Sequence, residues 1–288
     1  MHYEGTLIRP PSEAGSILLQ VAVGCPHNQC TFCGAYKDQT YRAKSAAIIS
    51  QDLRYAAKHF RNQRRLFLCD GDALALKCET LSTLLTQIRR ELPWVTRVGS
   101  YASARSIMAK TTTQLSELRR LGLGTLHMGL ESGDDLTLAR VRKGVTSDEI
   151  VTAGRRARGS GMKVFATVIL GLAGVDRSSV HAAMTAQALS AMDPEYVGAL
   201  SLMLVPGTPL YEQWDRGEFV LPDEWQLLSE LRVMIESTAM TGLFYANHAS
   251  NHLPLRARLP RHKASALALI DGALRGDVSL RPEWLRGL

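Results

Sequence analysis

Apolar, β-branched stretches alternate with stretches of helical period along most of the chain. Six of the first kind predict strands, at residues 16–23, 65–70, 97–102, 125–130, 163–170 and 196–205. Helical stretches follow the strands, at residues 45–60, 79–92, 112–121, 134–160 and 178–192. Short connections from strand to helix favour parallel strands with right-handed crossovers. The pattern therefore predicts an α/β fold, either a doubly wound sheet or a partial (β/α)6 barrel of parallel strands that resembles a TIM barrel.

The pattern changes after residue 210, where helical stretches are predicted at residues 209–216 and 222–240. We therefore expect two regions. Residues 1–210 form the partial barrel, with its core starting at about residue 16, and residues 211–288 form a C-terminal helical extension that is a candidate substrate lid.

In both architectures function belongs at the carboxyl ends of the strands. The segments that follow the predicted strands are rich in glycine, acidic residues and cysteine, and they lie at residues 24–33, 70–74, 101–105, 129–135, 171–174 and 205–210. A cysteine loop that shares one edge with acidic and glycine-rich turns is typical of a catalytic face that binds a cofactor.

Composition and charge exclude several classes of protein. The chain has 288 residues, of which 45% are hydrophobic and 21% charged, which excludes a collagen, a coiled coil or a disulfide miniprotein. The formal net charge of +7 permits a phosphate-bearing partner without requiring one. The sequence has neither an apolar run of about 18–20 residues nor an N-terminal basic segment followed by an apolar one. We therefore expect a cytoplasmic protein without a membrane partner.

Three of the five cysteines, Cys25, Cys30 and Cys33, lie close together with the spacing C-x4-C-x2-C. In a reducing compartment such crowding indicates metal binding or redox chemistry. Three alternatives stay open at this point. They are a structural zinc site with a distant fourth ligand, a ferredoxin-type 2Fe-2S cluster with a distant fourth cysteine, and a 4Fe-4S cluster with one iron left open. Cys69 and Cys78 stand apart and are expected to be structural.

The sequence motifs around the cysteines and after the strands resemble those of the radical S-adenosylmethionine (radical SAM) superfamily, in the branch of oxygen-independent coproporphyrinogen oxidases and methylthiotransferases. The resemblance extends over residues 16–210 and rests on Phe32 before the last cysteine, the turn DGD at residues 70–72, the turn GLESG at residues 129–133 and the turn PGTPL at residues 206–210. The chain departs from the superfamily's commonest spacing, C-x3-C-x2-C, by one residue.

The resemblance implies an oxygen-sensitive enzyme in which Cys25, Cys30 and Cys33 hold a 4Fe-4S cluster. Such an enzyme reductively cleaves S-adenosyl-L-methionine to a 5′-deoxyadenosyl radical, which abstracts hydrogen from a small organic substrate. It needs a low-potential electron donor such as flavodoxin or ferredoxin. Radical modification of a tRNA or a peptide is the alternative reaction, and nucleic acid is the less favoured partner. An iron-sulfur electron carrier or a zinc-stabilised binding module is the non-enzyme alternative.

By the same resemblance, individual residues receive roles toward S-adenosylmethionine. The turn of Asp70, Gly71 and Asp72 faces its amine, and Glu131 holds the ribose hydroxyls, although Glu131 also suits a helix cap. Lys143 stands where relatives carry an arginine for the methionine carboxylate, and Arg140 or Arg142 are its alternatives. The positions that resemble adenine contacts are Ile169, Gly171 and Val205, and Phe32 is a further residue expected to bind the cofactor.

The substrate-binding candidates lie in two segments. Tyr101 and Arg105 follow the third predicted strand. Asn247, His248 and Asn251 belong to a polar loop that ends before Pro254. A surface turn before a final helix is the alternative reading of that loop.

Overall fold

The computed structural model describes residues 1–287. Within that range the chain forms helices and one eight-stranded, mostly parallel sheet, which confirms the predicted α/β class. The same residues contain no helix that is both long and apolar enough to cross a membrane. The chain comprises two compact units. The first contains Met1–Asn28, Ala35–Met128 and Arg156–Val164, and the second contains Gln29–Gly34, Gly129–Arg155 and the residues from Phe165 onward.

The first unit contains the early strands and the helices that follow them. In chain order its elements are β1 (Ile17–Gln20), β2 (Ala22–Val23), β3 (Arg42–Ala43), α1 (Ala46–His59), β4 (Arg65–Cys69), α2 (Cys78–Glu91), β5 (Arg97–Tyr101), α3 (Ala104–Met108), α4 (Thr112–Arg120) and β6 (Leu123–Glu131), which continues into the second unit. Short 3-10 helices occupy Pro11–Glu13 and Ala73–Ala75.

Strand β4 is the centre of the first unit. It pairs in parallel with β1 on one side and β5 on the other, and Phe67 lies opposite Leu18 and Gly99. Phe67 and its neighbours in β4 are buried on both faces, as expected for a parallel strand covered on two sides. Helix α1 begins where the Ser45 hydroxyl accepts the Ile48 N–H, and it buries an apolar stripe that includes Leu53.

The predicted strand at residues 16–23 is divided in the structure. Strand β1 ends at Gln20, and β2 pairs instead with β3 in a separate antiparallel ribbon, with Ala22 opposite Ala43. The change of partner occurs at Val21, whose carbonyl accepts the Lys44 N–H at 3.0 Å. The segment that joins β2 to β3 carries the three clustered cysteines.

The second unit contains the later strands. Its elements are α5 (Asp135–Arg140), α6 (Ser147–Gly159), β7 (Lys163–Leu170), α7 (Gly174–Met192), β8 (Tyr196–Ser201), α8 (Pro209–Asp215), α9 (Glu224–Ser237), β9 (Leu243–Tyr245), β10 (Arg256–Arg258) and α10 (Lys263–Leu274). Helix α6 ends, and β7 begins, in the first unit. A 3-10 helix occupies Glu283–Leu285.

Strands β7, β8 and β9 are parallel, and β10 runs antiparallel to β9. Strand β7 alternates strictly, because Val164, Ala166, Val168 and Leu170 are buried while the residues between them are more exposed. Helix α9 begins with a reciprocal capping box between Asp223 and Gln226 and packs against α7 and α10.

The single helix predicted at residues 134–160 is two helices. Arg142 and Gly144 adopt positive φ values of 53° and 75°, which ends the first helical segment, and Thr146 and Glu149 form a capping box that starts α6. Strand β8 ends at Ser201 rather than residue 205, and the Ser201 N–H donates to Ser250 Oγ in the loop between β9 and β10 at 3.1 Å. Strands β9 and β10 extend the sheet and were not predicted, since three-residue strands carry too few positions for a period to show.

Candidate active site

The three clustered cysteines are all partly exposed. Cys25 lies in the first unit, and Cys30 and Cys33 lie in the second. The Cys33 N–H donates to the Cys30 carbonyl at 3.4 Å, so these two residues lie on one tight turn. All three sulfur atoms are therefore accessible and belong to one short segment of the chain.

Gly71 lies directly against Cys25. The Gly71 N–H donates to the Gly24 carbonyl at 3.2 Å, and a Cβ at position 71 would lie 2.5 Å from Cys25 Cβ and 2.8 Å from Cys25 Cα. Real atoms do not approach that closely, so any side chain at this position would displace the cysteine. The turn after β4 therefore needs glycine in order to support the cysteine loop.

The two aspartates that flank Gly71 are buried and incompletely hydrogen-bonded. Gln20 Nε2 donates to Asp70 Oδ2 at 2.7 Å, and Ser106 Oγ donates to Asp72 Oδ1 at 2.9 Å. The remaining oxygens, Asp70 Oδ1 and Asp72 Oδ2, accept no hydrogen bond from any described residue. Burial raises the pKa of both carboxyl groups. Such unsatisfied acceptors are costly and suit a donor or cation from a bound molecule.

Backbone strain occurs at two strand ends that carry predicted site residues. Asp70 follows β4 with φ 73°, and Glu131 ends β6 with φ 61°. Non-glycine residues adopt this left-handed region at a cost of about 1–3 kcal/mol, and such residues cluster at functional sites. The strain marks both turns as candidates on physical grounds.

Tyr101 and Arg105, the substrate candidates of the first unit, have different neighbours. The Tyr101 ring packs edge-on against Phe67 at 5.0 Å between centroids, and Arg105 Nη1 lies 3.4 Å from His27 Nδ1. The structure therefore places Arg105 beside the cysteine segment.

The sequence analysis missed His127, which lies beside Tyr101 and is buried. The ring centroids of His127 and Tyr101 are 6.2 Å apart, and His127 Nε2 lies 3.8 Å from Glu13 Oε1. Burial lowers the pKa of His127. A single histidine within an apolar strand does not stand out in a sequence. Thr125, His127 and Gly129 are alternate residues and share one face of β6, and this run of non-aliphatic residues on one face is the signal that could have identified His127.

In the second unit, backbone bonds clamp the cysteine segment. The Thr31 N–H donates to the Val141 carbonyl at 3.0 Å, and the Leu210 N–H donates to the Thr31 carbonyl at 3.0 Å. A Cβ at Gly34 would lie 2.8 Å from Val205 Cγ1. Phe32 and Ile169, two predicted cofactor residues, pack on the same apolar cluster, whose buried members are Val141, Leu172, Leu202 and Leu210.

Glu131 and Lys143, predicted to contact different parts of the cofactor, contact each other in the structure. Lys143 Nζ donates to Glu131 Oε1 at 2.8 Å, and Glu131 is buried while Lys143 is half-buried. The Glu131 carboxylate folds back over Gly129, because a Cβ at Gly129 would clash with Glu131 Oε1. The pair presents one acceptor and one donor at the end of β6.

A buried polar network supports the turns after β6 and β7. Its residues were not predicted from the sequence. His181 Nδ1 lies 2.7 Å from Ser132 Oγ, and His181 Nε2 lies 3.3 Å from Glu230 Oε1. The Gly171 N–H donates to Glu230 Oε1 at 2.7 Å. The partners are far apart in sequence, so no local motif announces them.

The polar loop between β9 and β10 is fixed at the end of β8. Asn251 is buried, accepts the Ser201 hydroxyl at 2.8 Å and donates to the Ala199 carbonyl at 2.8 Å. His248 Nδ1 lies 2.9 Å from Ser250 Oγ, and burial lowers the pKa of His248. Asn247 is exposed.

Two arginines from the end of the chain hold the backbone of this loop. Arg281 Nη1 donates to the carbonyls of His248, Ala249 and Asn251 at 3.1, 2.9 and 3.0 Å. Arg286 Nε donates to the Ser250 carbonyl at 2.6 Å. The loop is therefore an ordered part of the second unit.

Comparison with known proteins identifies the family. The model of the radical SAM superfamily matches residues 19–186, which is more than half of the chain. The chain belongs to the radical SAM superfamily. Enzymes of this superfamily use a 4Fe-4S cluster and S-adenosylmethionine.

Among curated relatives, the radical SAM chain is 21% identical to the heme chaperone HemW of Bacillus subtilis over 181 residues, which are 62% of this chain and 47% of the relative. It spans less than half the length of the curated relatives that it matches.

Solved structures show the same fold. Coproporphyrinogen III oxidase (HemN) from Escherichia coli, described as a radical SAM enzyme, aligns with a TM-score of 0.59 and 17% identity over 85% of this chain and 56% of that one. The radical SAM methyltransferase TsrM from Kitasatospora setae, solved with cobalamin and a [4Fe-4S] cluster bound, aligns with a TM-score of 0.55 and 17% identity over 68% of this chain and 38% of that one.

The residues of this radical SAM chain fit its family's cluster. Cys25 packs against Gly71, and a side chain at position 71 would clash with the cysteine. Soft thiolates are the ligands that iron-sulfur clusters take. Within residues 1–287, no three His, Cys, Asp or Glu side chains lie close enough to hold a single metal ion. The thiolates of a 4Fe-4S cluster each bind a different iron, so they do not converge on one point.

Proposed function

We propose that this radical SAM protein is an enzyme that acts on a small organic substrate and holds a 4Fe-4S cluster through Cys25, Cys30 and Cys33. A cluster held there would pass one electron from a low-potential donor to S-adenosylmethionine, which is the chemistry that yields methionine and the 5′-deoxyadenosyl radical needed to take a hydrogen atom from the substrate. The protein's own residues position the reactants and exclude water.

The observation that carries this proposal is the fit between Cys25 and the turn after β4. Gly71 brings the backbone of that turn into contact with the cysteine, and Asp70 and Asp72 leave one carboxylate oxygen each without a partner among the described residues. A cationic amine that donates to these oxygens would remove the cost of burying them. We assign this turn to the methionine amine of the cofactor.

The family resemblance assigns further cofactor roles to residues of the second unit. Phe32 and Ile169 share one apolar cluster that suits the adenine, with Gly171 and Val205 at the neighbouring turns. Glu131 presents an acceptor for the ribose hydroxyls, and Lys143 is a cation for the methionine carboxylate. The Glu131–Lys143 contact holds both groups in place.

The remaining assignments concern the substrate and the cell. Tyr101, Arg105, Asn247, His248 and Asn251 are proposed to contact the substrate, and a low-potential donor such as flavodoxin or ferredoxin is proposed to reduce the cluster. We propose a cytoplasmic location, with a barrel region at residues 1–210 and an extension at residues 211–288 that covers the substrate.

The test compares Cys30→Ala with Cys78→Ser. Both residues are partly exposed cysteines, but Cys78 is the first residue of α2, outside the cysteine segment. After anaerobic reconstitution, the wild type and Cys78→Ser should carry about four irons per chain and convert S-adenosylmethionine to 5′-deoxyadenosine with dithionite. Cys30→Ala should lose iron and turnover while keeping the wild-type melting temperature to within a few degrees.

Retention of iron and turnover by Cys30→Ala would show that the ligands are assigned wrongly. A wild-type protein that binds iron and cycles with dithionite, but leaves S-adenosylmethionine intact, would contradict the proposed reaction.

A further inference from the structure

In the second unit, one face of the sheet carries a regular grid of side chains across β7, β8, β9 and β10. The strand register places Phe165, Tyr196, Leu243 and Arg258 in one row. The next row contains Thr167, Gly198, Tyr245 and Arg256. All of these positions face the same way, because residues two apart on a strand share a face. We call this set of eight residues the aromatic floor.

The opposite face of the same strands is closed. Ala166, Val168, Val197, Ala199 and Phe244 are at most 1% exposed. By contrast, the aromatic side chains of the floor are only half-buried, and the two arginines at its edge are exposed. The floor is therefore the less covered face of these strands.

The rings of the floor are nearly parallel. Phe165 and Tyr245 have centroids 6.4 Å apart with an angle of 5° between their planes, and Phe165 and Tyr196 have centroids 6.0 Å apart with an angle of 25°. A Cβ at Gly198 would lie 2.7 Å from Phe165 Cε1, so the Phe165 ring lies across the glycine. Glycine at position 198 therefore makes room for the Phe165 ring, which a side chain there would displace.

Positive charge lines one edge of the floor. The Arg256 guanidinium lies 5.5 Å from the centroid of the Tyr245 ring, and Arg258 follows two residues later on the same face of β10. A guanidinium binds a carboxylate or a phosphate through two parallel hydrogen bonds, and it also stacks on aromatic rings. The floor thus combines flat apolar surface with cations that suit an acidic group.

The floor also adjoins the residues assigned to the cofactor. Ile169 lies on the same face of β7 as Phe165, with Leu200 opposite it on β8. Phe165 and Ile169 are four residues apart, which is about 13 Å along a strand, so a molecule of roughly that length on the floor reaches Ile169. Hydrogen abstraction requires reacting atoms about 3–3.5 Å apart, so a substrate on the floor must extend along β7 toward Ile169.

We propose that the aromatic floor binds the substrate, and that the substrate is a planar aromatic or heteroaromatic acid whose carboxylate or phosphate meets Arg256 and Arg258. This inference rests on the proposed function, because it places the ligand beside the assigned cofactor residues. Cross-strand aromatic pairs also stabilise sheets, by about 0.2–1 kcal/mol each. That role accounts for the rings, and charged side chains on an edge strand such as β10 also oppose pairing with another chain. The position of both arginines on the same face as the rings additionally suits an acidic ligand.

The test measures binding of defined probes to the full chain by isothermal titration calorimetry. The probes are 2-naphthoate, its neutral analogue 2-naphthamide, and 2-naphthyl phosphate. The variants are the double variant Arg256→Gln with Arg258→Gln, Phe165→Leu, and Arg261→Gln as the matched control. Arg261 is an exposed arginine that lies outside the strands.

The wild type should bind 2-naphthoate or 2-naphthyl phosphate at least about tenfold more tightly than 2-naphthamide, and the tighter acid identifies the acidic group. The double arginine variant should lower the affinity for the acid to that for the amide, and Phe165→Leu should weaken all three probes. Arg261→Gln should bind like the wild type. Melting temperatures of the variants separate loss of binding from loss of fold.

Equal affinity for acid and amide in the wild type would overturn the inference, as would an unchanged acid affinity in the folded double variant. Cys30→Ala distinguishes this failure from failure of the proposed function. It should bind 2-naphthoate like the wild type while no longer cleaving S-adenosylmethionine. Cleavage that persists in Cys30→Ala contradicts the proposed function alone, whereas absent acid binding in a wild type that cleaves the cofactor contradicts the inference alone.

Discussion

The Glu230 carboxylate accepts the backbone N–H of Gly171 at 2.7 Å, across a sequence separation of 59 residues. Glu230 is 2% exposed, and its other oxygen accepts the Ser178 hydroxyl at 2.5 Å. A side chain on α9 therefore holds the turn after β7, where the adenine contact is proposed. Removing the partner of a buried N–H costs more than the bond itself contributes.

We expect Glu230→Gln to lower the free energy of unfolding by about 1–3 kcal/mol, because the amide replaces one charged acceptor with a donor. The loosened turn should also raise the dissociation constant for S-adenosylmethionine by about tenfold, or about 1.4 kcal/mol. Urea unfolding and equilibrium dialysis with reconstituted protein measure the two effects.

Glu236→Gln is the matched control, since Glu236 lies on the same helix but is exposed and pairs with Arg232 at 2.9 Å. It should change stability by less than about 0.5 kcal/mol and leave cofactor binding unaltered. Equal effects of the two substitutions would argue against a specific role for Glu230.

Gly71→Ala introduces a methyl group 2.5 Å from Cys25 Cβ. Overpacking of this kind typically costs about 1–3 kcal/mol and shifts the backbone. We expect a folded protein whose iron content after reconstitution falls below half of the wild-type value, measured by a colorimetric iron assay.

Gly159→Ala provides the comparison, because outside its chain neighbours and the backbone of its own helix no described atom lies within 4 Å of the added Cβ. This variant should carry the wild-type amount of iron. If Gly71→Ala also did so, the contact between the glycine turn and the cysteine would be unimportant for the cluster.

The Glu131–Lys143 contact predicts energetic coupling between two cofactor residues. Glu131→Gln, Lys143→Met and the double variant form a cycle, and residues in contact typically couple by 0.5–3 kcal/mol. We expect about 1 kcal/mol of coupling in the free energy of unfolding. The exposed pair Arg216 and Glu218, 2.8 Å apart, should show no measurable coupling in a parallel cycle. Additive effects at Glu131 and Lys143 would mean that the pair does not stabilise the turn.

Asp134 predicts a pH dependence. Burial acts to raise its pKa, but hydrogen bonds from Arg177 and Thr137 outweigh this and lower the pKa of Asp134 from 3.8 to about 2. A carboxyl with a depressed pKa in the folded state adds stability above its unfolded pKa, and the contribution is lost as the pH falls through the folded value. Asp134→Asn keeps a residue suited to the helix cap but removes the charge.

Asp134→Asn should therefore be less stable than the wild type by about 1–2 kcal/mol at pH 7, and the difference should shrink between pH 4 and pH 2. Chemical unfolding at several pH values measures it. Asp176→Asn, which alters an exposed pair with Arg140, should differ little from the wild type at any pH. A gap for Asp134→Asn that is constant down to pH 2 would contradict the assignment.

Local chemistry made much of the fold predictable. The alternation of β7 and the apolar stripes of α1 and α2 follow from burial on one face, and the limits of these elements agree with the predicted ones to within a residue. The cysteine spacing and the turns after the strands were equally visible, since each involves neighbours in sequence.

The supporting contacts were not predictable in this way. His181, Glu230 and Ser132 are isolated polar residues in apolar or mixed stretches, and only the packing of α7 and α9 brings them together. The contact of Gly71 with Cys25 likewise depends on strand order, because a glycine after a strand serves an ordinary turn as readily as a cofactor loop.

Arg281 and Arg286 together donate hydrogen bonds to four backbone carbonyls of the β9–β10 loop. These bonds affect how experiments on shortened versions of this protein should be interpreted. Proteolytic trimming after Leu280 would remove both guanidinium groups at once and leave those carbonyls to water. A truncated protein that loses turnover would then report an untethered loop rather than a missing catalytic group. Purification tags fused to that end of the protein carry the same risk of misreading.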